Sequence, residues 1–131
     1  MNRLKYLICA KTQYDIQSPF MYDLYENVLA ARLDGATLAR TGIGRSDRYG
    51  QLRYKLADHY RATHVGDDVF ETADGSRITM VRRPHRSRDA EEAWERLFKE
   101  PDVTLSVDLF DAGLAFTSPK LSKQHIVFRV F

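Results

Sequence analysis

A single cysteine, Cys9, is all the thiol this sequence holds. No disulfide framework can form within the chain, and no cysteine-rich zinc site can be assembled. That usage fits a reducing, cytoplasmic setting. Long apolar runs are missing too: nothing approaches the roughly 18 consecutive apolar residues that a membrane span needs. Near the start, Leu4 to Ala10 is interrupted by Lys5 and Tyr6, so a signal-peptide core is not expected. Charge of one sign is also scarce. The formal net charge of +2 is far too small to imply a nucleic-acid partner by itself. Internal repeats and low-complexity tracts are absent from the sequence.

What remains is an ordinary globular mix. The chain has 131 residues, 44% hydrophobic and 29% charged, which suits one domain and one core. Residues 1–66 carry +4 and residues 67–131 carry −2. The expected organisation is a mainly helical part over 1–62 and a strand–helix–strand part over 67–131, both within one domain.

Residues 3–12 read as a short helix, with Leu4, Leu7 and Ile8 on one side and Cys9 buried and inert among apolar neighbours. Ser18-Pro19 is a helix start, since serine caps free amides and proline suits the first helical position. Phe20, Leu24 and Val28, flanked by Met21, Tyr25 and Leu29, form a stripe at helical spacing to about Leu33. Residues 34–46, with three glycines, read as a loop. A further helix begins at Ser46 or Asp47, with the stripe Tyr49, Leu52, Leu56 and Tyr60. Val69-Phe70 and Ile78 to Val81 look extended, and Asp74-Gly75 between them is a hairpin turn. Ser87 or Asp89 then caps a helix through Glu100, with Asp89 and Glu92 spaced as a capping box. Ala93, Trp94, Leu97 and Phe98 face inward, and Pro101 stops it. Val103 to Leu109 alternates apolar and polar like a half-buried strand, with Asp108 on the polar phase. Leu114 to Thr117 and His125 to Val130 read as two more strands. The expected class is α/β, with α+β as the alternative: a mixed sheet of three to five strands with a C-terminal antiparallel portion and N-terminal helices.

Two blocks carry a resemblance. Gln17-Ser18-Pro19-Phe20-Met21-Tyr22-Asp23-Leu24-Tyr25-Glu26-Asn27-Val28 is one. The other runs from Ile78 to Phe131 and includes Pro84-His85-Arg86-Ser87, Glu91-Glu92-Ala93-Trp94, Val103-Thr104-Leu105-Ser106-Val107-Asp108-Leu109-Phe110 and Lys123-Gln124-His125. Both resemble a bacterial family of class I S-adenosylmethionine-dependent methyltransferases, the first its opening helix and the second its closing segment. Arg48 to Leu56 looks more loosely like the helix before that family's cofactor-binding strand. The resemblance implies a methyltransferase-like fold, with S-adenosylmethionine as the family's cofactor.

The departures bear on activity. The family's first strand runs into a glycine-rich turn that lets backbone amides approach the cofactor, and an acidic residue after the next strand holds the ribose. Here Tyr60 is followed by Arg61 to Phe70 and then almost at once by the late strand. Roughly 80 to 100 residues of βαβ units would be needed for the missing half. Gly42-Ile43-Gly44 follows no strand and reads as a connector. Where the family carries two aspartates before its histidine, this chain has Arg82 and Arg83. Guanidinium groups can neither bind a divalent metal nor take up a proton.

Candidate site residues cluster after the late strand. Arg82, Arg83, Arg86 and Arg88 surround His85 and Ser87, at the start of a helix whose amides point outward. They form either an anion-binding pocket for phosphate, carboxylate or nucleic-acid backbone or a solvated basic turn balanced by Asp89, Glu91, Glu92 and Glu95. His85 matches the family's histidine and is the one catalytic candidate, although no carboxylate beside it in sequence would orient it. His125 reads as structural, and the spacing of His59 and His64 argues against a shared metal. The aromatics fall mostly at core spacing rather than as stacking platforms. The expected function is that of a shortened, inactive methyltransferase relative, binding no cofactor. It would act as a homodimer or with a partner chain through an exposed sheet edge. The alternatives are an anion- or nucleic-acid-binding module, and a small methyltransferase completed by a partner.

Overall fold

The computed structural model describes residues 19–118, 121 and 123–127. The expected helix over 3–12, with Cys9, lies outside them, as do the last residues of the final expected strand.

Helix α1 (Pro19–Leu24) continues as a π-helical segment, Tyr25–Leu29. Its wide ring closes from Ala30 N to Tyr25 O at 2.8 Å. The helix therefore ends about one turn before Leu33. Met21, Leu24, Tyr25, Val28 and Leu29 bury the expected stripe. Residues 34–46 are not all loop, because Gly35–Thr41 forms a helix, α2. Asp34 caps it by accepting from Thr37 N at 2.8 Å, and Gly42 ends it at φ 74°. Glycines at both ends had hidden a helix with ordinary caps. Helix α3 (Arg48–Tyr60) starts as expected, with Asp47 accepting from Gly50 N.

Among the described residues six strands form one mixed sheet, more than the expected three to five: β1 (Thr63–Gly66), β2 (Val69–Glu71), β3 (Arg77–Arg82), β4 (Leu105–Asp108), β5 (Ala112–Thr117) and β6 (Gln124–Val127). Helix α4 (Arg88–Phe98) joins β3 to β4. The order is β1-β2-β3-β5-β4-β6, antiparallel throughout except for the parallel pair β4–β6. The fold is α/β. The β2–β3 hairpin turns at Asp74-Gly75 as the sequence indicates, with Gly75 at φ 86°. Strand β1 escaped notice because all four of its residues are exposed and carry no burial pattern. Both β3 and β4 run antiparallel to β5, so they are parallel to each other, with α4 as the crossover and β5 reversed between them.

The sheet is covered on both faces. On one, α1, its π segment and α3 pack Leu24, Val28, Leu52 and Leu56 against Phe70, Ile78, Leu105, Leu114 and Ile126. On the other, Trp94 of α4 lies over Val103 and Ala115, flanked by Val81, Leu97 and Phe98. That double cover corrects the half-buried reading of β4, which is buried at every position, Ser106 and Asp108 included. Of the two caps the sequence offers for α4, Ser87 is the one used: its Oγ accepts from Ala90 N at 3.1 Å. Ala93 is exposed, and Ala90 takes the buried position instead.

Candidate functional site

At the ends of the parallel strands β3 and β4 the chain turns twice through backbone angles that side chains disfavour. Arg83 sits at φ 45° and Phe110 at φ 72°. Arg83 N donates to Asp111 O at 2.9 Å, tying the two turns together, and within the second turn Phe110 N donates to the Asp108 carboxylate at 2.9 Å. Strained residues clustered where parallel strands end are a feature of binding sites in α/β sheets.

Between these turns sits His85. Its Nε2 is 2.6 Å from Asp108 Oδ2 and its Nδ1 is 2.9 Å from Glu91 Oε2. Its ring stacks on Phe110 at 5.4 Å and 20°. An ionised carboxylate only accepts, so a carboxylate on each ring nitrogen favours the protonated imidazole, in which both nitrogens donate. The Glu91 hydrogen bond, reinforced by Asp108, raises the His85 pKa above its ordinary 6.5, against the opposing effect of partial burial. The two carboxylates differ sharply in exposure, at 6% for the Asp108 side chain and 54% for Glu91.

A second polar pair lies on the same face. Parallel pairing sets Ser106 opposite His125, and Ser106 Oγ is 2.6 Å from His125 Nδ1. The His125 ring stacks on Phe98 at 4.0 Å, and burial lowers its pKa. Ser106 is 1% exposed, which keeps its hydroxyl from any substrate. Gly113, facing the same way on β5, leaves room for Trp94: a Cβ there would stand 2.8 Å from two indole carbons.

Two of the arginines, Arg82 and Arg86, are engaged elsewhere. Arg82 follows Ile78 and Met80 in phase, and its guanidinium lies 4.0 Å over the Tyr49 ring of α3, on the face away from α4. Arg86 Nη1 donates to the carbonyls of Arg82 and Arg83, at 2.7 and 3.2 Å. The Ser87 hydroxyl caps α4, and Arg83 and Arg88 are exposed. His59 pairs with Asp23 at 2.8 Å, whereas His64 accepts from Arg53, so the two histidines belong to separate contacts. Gly42-Ile43-Gly44 follows a helix, α2, rather than a strand.

The sequence reading missed the partners of His85. Asp108 is 23 residues away and Glu91 six, so neither adjoins it in the chain. Phase puts Asp108 and Ser106 on one face of β4, but only the structure shows that α4 covers that face. Among the described residues no three His, Cys, Asp or Glu side chains form a group that can hold a metal, and no helix is long and apolar enough to cross a membrane. No family model, no curated protein and no solved structure matches the chain.

Proposed function

We propose that this chain is a shortened relative of the class I S-adenosylmethionine-dependent methyltransferases that binds no cofactor and works by association rather than catalysis. The observation that carries the reading is the edge of β3. Parallel βα units joined to β3 would need that edge, and β2 of the same chain occupies it, from Val69 opposite Thr79 to Glu71 opposite Arg77. The crossover β3–α4–β4 with reversed β5 between the strands supports the kinship read from Ile78 onward. The double engagement of His85 supports the loss of chemistry. While it is protonated and engaged by both carboxylates, it has neither a lone pair to take a proton nor a free N–H to polarise a substrate.

Mass spectrometry of the purified protein tests the first half of the reading. No S-adenosyl compound is expected to accompany it, and a near-stoichiometric amount would overturn the proposal. The second half concerns the outer strand β1, exposed at all four residues and bearing Val65 at 54% exposure. A second copy pairing there would extend the sheet. Sedimentation equilibrium is expected to show a concentration-dependent dimer that Val65→Lys weakens. A monomer at every concentration would remove self-association from the account.

A further inference from the structure

The His85 contact joins three pieces of chain. His85 itself lies in the turn after β3, Glu91 in the first turns of α4, and Asp108 at the end of β4. The charged groups that act on it from the packed elements are Glu91 of α4 and Asp108 of β4, and His125 of β6 lies near enough to feel both Asp108 and His85. Arg86, on the same turn, is directed to backbone carbonyls, and the β4–β5 turn contributes the Phe110 ring.

We propose that His85 is a proton-operated latch, closed as a cation across Asp108 and Glu91 and opening on the Glu91 side when it loses its proton. The direction of opening follows from burial. A neutral imidazole keeps one N–H, and the two carboxylates compete for it. The Asp108 side chain is only 6% exposed, so water replaces a lost donor there at much greater cost than at Glu91, which is more than half exposed. The remaining proton therefore stays on Nε2, and Nδ1 presents a lone pair to Glu91. Repulsion frees Glu91 and, with it, the start of α4. The sign is that of a group whose pKa is raised by folding. The latch is fully closed below the ordinary histidine value and is lost as pH rises through the raised one. This proposal rests on geometry independent of the cofactor question, and holds whether or not a nucleoside binds.

Histidine ring signals followed by NMR between pH 5 and 9 test it, together with amide exchange of residues 85–91 corrected for intrinsic rate. His85 is expected to titrate above 6.5, and the corrected exchange to rise roughly three- to tenfold across that titration. Glu91→Gln, on an exposed side chain and safe for folding, is expected to lower the His85 pKa and flatten the exchange profile. His85→Gln is expected to abolish the pH dependence. A His85 pKa at or below 6.5, or a pH-dependent opening that survives in Glu91→Gln, would overturn the latch.

Discussion

Replacing Asp108 by alanine is expected to destabilise the fold by about 3 kcal/mol, because it leaves a cation and an amide without their acceptor in a largely dry place. One carboxylate serves both: Oδ2 accepts from His85 Nε2 and Oδ1 accepts from the Phe110 amide. Phe110 sits at φ 72°, a strained angle for an aromatic residue, and that amide bond helps hold it. The loss should therefore be felt in the β4–β5 turn as well as at His85. Asp108→Asn retains an acceptor oxygen and much of the shape, so it should cost distinctly less than alanine. Urea denaturation of the two variants gives the comparison. An alanine variant within about 0.5 kcal/mol of the parent, the range of an ordinary surface change, would mean that this carboxylate holds nothing together.

Gly113→Ala is the second large effect, expected at about 2 kcal/mol, the ordinary cost of one methyl forced into a filled core. The glycine matters here for its lack of a side chain. Trp94 is 2% exposed and lies directly on the β5 backbone, so the added carbon meets the rigid indole rather than a flexible chain end. The collision has a specific partner, which makes it testable by a double-mutant cycle. In a Trp94→Leu background, already weakened by the smaller side chain, the added cost of Gly113→Ala should nearly vanish. An equal cost in both backgrounds would show that the penalty comes from somewhere other than the indole.

How much of this was legible beforehand depended on whether the signal was local. Caps and turns are local. Asp47 before α3, Ser87 before α4 and Asp74-Gly75 between β2 and β3 each stand where the chain's own chemistry places them. The stripe Leu24–Val28 and the inward Trp94 were readable from helical spacing for the same reason. Helix α2 was obscured because its glycines argue against helix while Asp34 argues for it, and the cap prevailed. Strand β1 was invisible because an exposed edge carries no burial alternation. The candidate site was least legible. Ser106 and Asp108 alternate with valine and leucine as solvent-facing residues would, and nothing in the sequence says that α4 covers that face. Once it does, two polar side chains are buried and must find partners, and His125 and His85 are those partners. The arginines show the converse. They stand together in the sequence, yet strand alternation sends Arg82 to the Tyr49 face while Arg86 folds back on its own turn.

The account as a whole depends on one structural economy: the strand edge that a nucleotide-binding half would require is filled from within the same chain. Titration calorimetry with S-adenosylmethionine addresses this most directly. The account predicts no saturable heat below about 1 mM ligand, corresponding to binding weaker than ~4 kcal/mol. A saturable isotherm with a Kd tighter than that would contradict it, since the chain would then possess a cofactor site that neither its glycines nor its sheet order supplies.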